Sequence, residues 1–201
     1  MAEAAAREGA DAVVASRRRA AVDGALRRLP EGAGGAEGRG LDVTDEDEVR
    51  GFFAGIGDFD HLVFTAGEAL PLEEPANTDI DRARRFLDTP VLTTGTAGRR
   101  PMPGTTVAAG LCGAMESLTR ALALEPGPIR LNVVSPGAVR TELWRELPEA
   151  DREGLFASTA RSLPVGRVGE PEDVAEAYLY LMGGRFSTGS TVVVDGGAVL
   201  M

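Results

Sequence analysis

A thiol nucleophile needs a base beside it, and Cys112 and His61 are the only cysteine and the only histidine in this 201-residue chain. They lie 51 positions apart with no motif joining them, so the expectation for Cys112 is a small apolar filler on a helix face and for His61 a structural or exposed residue. One cysteine and one histidine exclude an internal disulfide and leave no histidine or cysteine set for zinc. A reducing, cytoplasmic setting is expected. The remaining cluster with chemical potential is Arg17-Arg18-Arg19, the one tight basic group in a chain with 21 Lys+Arg, 31 Asp+Glu and a net charge of −10. That balance argues against nucleic acid as a partner, because nothing else would neutralise a phosphate backbone.

These residues must be held by elements, and the composition, 43% apolar and 26% charged, is that of a globular domain. No apolar run approaches the ~18 residues of a membrane span, and Met1 to Glu8 lacks an apolar leader core, so no membrane segment is expected. The chain then reads as alternating strands and helices. Met1 to Glu8 is a run of helix formers stopped by Gly9; Asp11 to Ala15 is a short apolar strand; Ala20 to Leu29 has helical spacing at Val22, Leu26 and Leu29. Arg39 to Val43 reads as a strand. Thr44 reads as a cap for a helix whose stripe is Val49, Phe52, Phe53 and Ile56, and His61 to Gly67 reads as a buried strand.

Further on, Thr78 to Asp88 suggests a short helix, Val91 to Thr94 a strand, and Ala108 to Leu124 a long helix with apolar positions at Leu111, Met115, Leu118 and Leu122. Arg130 to Val134 is another expected strand. A polar stretch from Thr141 to Pro164, a capped helix from Pro171 to Met182 and a closing strand from Thr191 to Asp195 complete the pattern. Such alternation predicts an α/β fold: a doubly wound parallel sheet with helices on both faces, αβα, in a single domain over 1–201. Ligands of such sheets sit at the carboxyl ends of strands. The segments to watch are therefore Ser16 to Arg18, Asp42 and Val43, Thr65 to Gly67, Thr94 and Gly95, and Pro136 to Thr141.

With those motifs in place the chain resembles the short-chain dehydrogenase/reductase family, a Rossmann-like fold, along its whole length. The resemblance rests on Leu118-Thr-Arg-Ala-Leu-Ala-Leu-Glu125, Ile129-Arg-Leu-Asn-Val-Val-Ser-Pro-Gly-Ala-Val-Arg-Thr141, Gly166-Arg-Val-Gly-Glu-Pro-Glu-Asp-Val-Ala175 and Val194-Asp-Gly-Gly197, with Leu41-Asp-Val-Thr44 and Thr65-Ala-Gly67 added. It implies an oxidoreductase acting on a small carbonyl or alcohol. By the same resemblance Ser16, Arg17 and Arg18 would meet a ribose 2′-phosphate, which implies NADP(H) in preference to NAD(H). The alternative for these three is a solvated basic loop. Asp42 and Val43 would contact adenine, and Thr65, Ala66 and Gly67 would run beneath the adenosine. Pro136, Gly137, Val139 and Thr141 would line the nicotinamide, and Thr141 would open a substrate lid over 141–164 in which Trp144 and Leu147 either close on substrate or simply pack. The family further implies a homodimer or homotetramer, with Ala108 to Leu124 in the interface.

The same resemblance exposes departures. Aligned on Gly98 and on Leu118 to Leu122, the family's catalytic Ser, Tyr and Lys fall on Gly95, Ala108 and Cys112, and the spacings of 13 and 4 between them match the family's. Thr94, Thr96, Thr105 and Thr106 are nearby donors, yet an aliphatic hydroxyl is far too weak an acid to replace an activated phenol. The family's first strand and glycine-rich pyrophosphate turn have no counterpart before Met1, and the helix begun by Arg84 to Thr89 looks cut short. The expectation is that segments of a longer protein are omitted here. Two functions compete: an NADP(H)-dependent oxidoreductase with a degenerate site, and a non-catalytic nucleotide- or partner-binding relative. A truncated product without stable function is a weaker third.

Overall fold

In a computed structural model, residues 1–30, 34–65, 93–125 and 128–201 are described. Thr78 to Asp88, Arg84 to Thr89, Val91, Ala66 and Gly67 lie outside them. The described residues form two compact units, Met1–Leu62 and Val63–Met201.

In the first unit α1 (Ala2–Arg7) buries Ala5 and Ala6 and ends before Gly9, whose φ of +88° is the left-handed geometry anticipated after a helix end. The next elements are β1 (Ala12–Ser16), α2 (Arg19–Leu26), β2 (Ala36–Gly40) and α3 (Glu46–Ile56). β1 and β2 pair in parallel from Ala12 with Ala36 to Ser16 with Gly40. The pair is packed by α2 at Gly38, where any Cβ would fall on Val22 and Leu26. Only glycine permits that approach.

Four expectations need correction here. β1 is not buried on both faces: its residues alternate and Val13 is 46% exposed, because α2 covers one face of the pair. The second strand is Ala36–Gly40 instead of Arg39 to Val43; its register is set by β1, which ends at Ser16, so Asp42 and Val43 follow the strand. Thr44 does not cap α3. Asp45 does, accepting from the Asp47 and Glu48 amides at 3.0 Å each, while Thr44 turns back to Asp42. Val49, Phe52, Phe53 and Ile56 are half-buried, as the stripe required. His61 to Thr65 forms no strand, and Leu62 is 51% exposed.

The second unit is built on β3 (Val133–Pro136) and β4 (Thr191–Val194), parallel from Val133 with Thr191 to Pro136 with Val194, and Thr93 bridges Val134 on the other side of β3. The helices are α4 (Thr106–Leu122), α5 (Glu149–Ser162) and α6 (Pro171–Gly183), with 3₁₀ turns at Thr96–Gly98, Glu142–Trp144 and Ala198–Leu200. Val134 of β3 packs with Ala177 and Leu181 of α6, joined by Val174, Tyr178, Val192 and Val194. Alternation along a strand turns Val133 and Ser135 to the opposite face. These parallel strands and packed helices are an α/β arrangement.

β3 begins at Val133 and not at Arg130, since Arg130 to Asn132 are taken by the 187–190 loop. The Asn132 amide donates to Ser187 O at 2.9 Å and the Gly189 N–H to Leu131 O at 2.7 Å. The buried face of α4 is the one that carries Cys112, beside the leucine stripe. Ala108, Cys112, Glu116 and Thr119 are buried, whereas Leu118 is 42% exposed. The reason is distance: a Cβ at Gly98 would stand 2.7 Å from Gly113 N and 2.9 Å from Cys112 Cβ, so only small side chains fit on the facing side of the helix. The polar stretch from Thr141 to Pro164 contains a full helix, α5, with Phe156 its one fully buried side chain. A helix so polar shows no apolar period.

Candidate functional site

At the carboxyl end of β1 and β2 an open cleft of about 530 Å³ is lined by Arg17, Arg39, Gly40, Leu41, Asp42, Glu48 and Phe52. Arg17 enters it because β1 ends at Ser16 and the chain turns into α2 there. Asp42 is fixed by an Asx turn, its carboxylate accepting from the Thr44 hydroxyl at 2.7 Å and the Thr44 amide at 3.0 Å. Those two bonds, hydroxyl first, and Arg17 nearby hold the Asp42 carboxyl below its ordinary value, with desolvation opposing. Glu48 accepts the Asp42 N–H at 2.9 Å. Glu37 grips Arg39 with both oxygens, at 2.6 and 3.2 Å, which raises the arginine and lowers the glutamate. Both acids inside the cleft thus spend lone pairs on local donors, beside two guanidinium groups and an aromatic ring. The chemistry suits an anionic, partly aromatic ligand.

Of the residues named from the sequence, Arg17 and Asp42 come together in this cleft. Ser16 and Arg18 sit at the strand exit without lining it, the Arg18 N–H reaching Ser16 Oγ at a long 3.4 Å. Val43 is half-buried just beyond, and Thr65 is exposed. Arg39, Glu48 and Phe52 were not anticipated. The α3 stripe contained Phe52, but the one signal for Arg39 was the register of β2, which only strand pairing reveals.

In the second unit, the exit of β3 is tightly bound. The Gly137 N–H donates to Val194 O at 2.9 Å, and a Cβ at Gly137 would stand 2.9 Å from Asp195 Cα. Asp195 in turn caps the closing turn, accepting from Gly197 and Val199 amides at 2.8 Å each. Val139, 7% exposed, bridges Gly169, and Thr141 Oγ1 accepts weakly from the Leu143 amide at 3.4 Å. Trp144 does not hang free over the site: its indole N–H donates to Val139 O at 2.9 Å and its ring meets Phe156 edge-on at 6.1 Å.

Gly95, Ala108 and Cys112 are also together. A Cβ on Gly95 would lie 3.4 Å from Cys112 Sγ and 3.9 Å from Pro136 O, Thr94 Oγ1 donates to Cys112 O at 3.1 Å, and Ala108 and Cys112 are 1% and 5% exposed. One turn along α4, Glu116 is buried and receives a two-pronged hydrogen bond from Arg99 at 2.9 and 3.1 Å. The chain contains no lysine at all, its 21 basic residues being arginines, and its two tyrosines are Tyr178 and Tyr180. Tyr178 hydrogen-bonds Thr93 within the fold, and burial raises its phenol. Among the described residues no cluster of acids, cysteine and histidine could hold a metal ion.

A family model described as enoyl-(acyl carrier protein) reductase matches residues 89–199, more than half of the chain. The short-chain dehydrogenase/reductase ATR9 of Stachybotrys chlorohalonatus is 40% identical over 166 residues, covering 72% of this chain and 65% of that protein, so the match spans just under two thirds of that relative. Among solved structures, the MalC reductase/Diels-Alderase of Malbranchea aurantiaca superposes with a TM-score of 0.88 at 28% identity, covering 100% of this chain and 91% of MalC. A small-chain dehydrogenase in complex with NADPH gives 0.82 at 30% identity, covering 94% and 98%. Family model, curated relative and solved structures agree with the motifs from Leu118 to Gly197, and the chain belongs to the short-chain dehydrogenase/reductase family.

Proposed function

We propose that this chain binds NADP(H) and is an oxidoreductase of its family acting on a small carbonyl or alcohol, with a degenerate reaction site. The observation that carries the reading is the cleft in which Arg17 and Arg39 stand beside Asp42 and Phe52. Arg17 would meet a phosphate monoester, with Arg39, oriented by Glu37, adding positive charge at the rim, while Leu41 and Phe52 offer an apolar flank to a purine. A related chain crystallised with NADPH supports the choice of cofactor. Arg17, with Arg18 at the same turn, would hold the 2′-phosphate, Asp42 and Val43 the adenine, and Pro136, Gly137, Val139 and Thr141 the nicotinamide side. When bound, the cofactor would supply a hydride. Gly95 and Ala108 carry no acid and the Cys112 thiol is buried, so a proton for a developing alkoxide would have to come from a group other than an activated phenol.

The test is a titration with NADPH and with NADH. Arg17→Ala combined with Arg18→Ala should weaken NADPH binding by about a hundredfold, two charge-assisted contacts of ~1.5 kcal/mol each, and barely touch NADH. Equal loss for both nucleotides rejects the phosphate assignment. A second reading, a nucleotide-binding relative without catalysis, is favoured by the burial of Ala108 and Cys112. Tight NADPH binding with no oxidation across a panel of carbonyls would select it.

A further inference from the structure

Arg140 stands at a junction of three elements, with Arg167 as a second cation that faces Glu170 and pairs with Asp173 of α6. Arg140 Nη1 donates to both oxygens of Glu153 on α5 at 2.9 and 3.0 Å, and its Nε lies 3.6 Å from Glu170 at the start of α6. Its guanidinium carbon stands 4.5 Å above the ring of Phe156, also on α5. Phe156 is 3% exposed and carries Trp144 against its edge. The backbone here is held independently. The Arg140 N–H donates to Gly169 O and the Gly169 N–H to Ala138 O, each at 2.9 Å. The side chain of Arg140 can therefore be withdrawn while its own segment stays in place.

From this separation we infer that Arg140 is a positioning residue, a latch that fixes α5 and the 141–164 segment against the β3 exit and the start of α6. Phe156 is the one fully buried side chain of α5, with Leu155 and Ala160 partly buried beside it and most of its other residues polar and exposed. Losing the guanidinium leaves Glu153 of α5 without its partner and removes the cation over Phe156, while Glu170 still faces Arg167 and stays with α6. The inference concerns the chain itself and holds whether or not a nucleotide binds.

Two local readouts test it. Trp144 is the only tryptophan, so its fluorescence reports this junction alone. In Arg140→Met, amides 150–162 should exchange about tenfold faster and Trp144 should become more open to acrylamide, while β3, β4 and α6 keep wild-type protection. Arg140→Lys, which keeps the charge and loses the fork, should fall between. Glu153→Gln, with Arg140 in place, should show the same pattern at a few-fold size and serves if the methionine variant fails to fold. Unchanged exchange in α5, or loss of protection spread evenly over β3, β4 and α6, overturns the latch.

Discussion

The strand exits of the two units have diverged in opposite directions. At the end of β1 and β2 the chain keeps charge: Arg17, Arg39, Asp42 and Glu48 surround an open cleft, each partly exposed or more, and Arg39 pairs with Glu37 two residues away. Around β3, small side chains pack instead: Ala108 and Cys112 are buried and Cys112 Sγ closes on partly buried Gly95, the three positions proposed above as a degenerate reaction site. The contrast is energetic. A charged rim costs folding little because water still reaches it, so such a site is free to answer to a ligand. A reaction site that loses its polar groups is absorbed into the core, where small apolar side chains pack and no longer need hydrogen-bond partners.

That comparison can be broken at either end. The largest effect should come from Ala108→Tyr, which adds a phenol to a position 1% exposed and should cost about 3 kcal/mol or more of stability, read from denaturant midpoints. Stability unchanged within error would mean the site is still an open cavity. Next, Glu116→Ala strips Arg99 of its two-pronged partner; because Arg99 is 40% exposed and can resolvate, the loss should be about 1–2 kcal/mol, well short of a fully buried pair.

The acid side of the stability profile gives a third prediction. Arg167 first, then the Glu170 N–H at 2.7 Å, hold the Asp173 carboxyl well below the usual carboxylate range. A lowered folded-state value means its contribution is fully present above the unfolded value of ~4 and is lost as pH falls through the folded one. The stability gap between wild type and Asp173→Asn should therefore be constant at neutral pH and narrow progressively below about pH 4. A gap independent of pH would assign the effect to helix geometry alone.

Smaller still is Ser135→Ala. Ser135 Oγ, fully buried, has no hydrogen-bond partner among the described residues, so its removal should stabilise by up to ~1 kcal/mol in thermal unfolding. Least of all, Arg17→Ala with Arg18→Ala should leave stability within ~0.5 kcal/mol while changing NADPH affinity. If that pair cost as much stability as Ala108→Tyr, the division between a rim that binds and a core that packs would fail.

Much of this was legible from local chemistry. Gly9 at φ +88°, the Pro171 start of α6 and the Thr191 strand came from single-residue preferences that neighbours do not override. α5 was hidden because only Phe156 among its fourteen residues is fully buried, leaving nothing periodic to read. The burial order along α4 is hidden for a related reason: leucines at 111, 118 and 122 mark an apolar stripe, but hydrophobicity does not say which face a neighbour can approach closely. Gly98 decided that, 15 residues earlier than Gly113.

The amino-acid sequence by itself determined the α/β class, the family and the arginine cluster after the first strand, because each depends on residue type and spacing along the chain. The tertiary structure alone decided that Arg39 shares the cleft with Arg17, that Glu116 is answered by Arg99, and that Arg140 ties α5 to the β3 exit. Those pairings join residues 22, 17 and 13 positions apart, and which strand register or helix face brings them together is fixed by packing and not by any preference a residue carries locally.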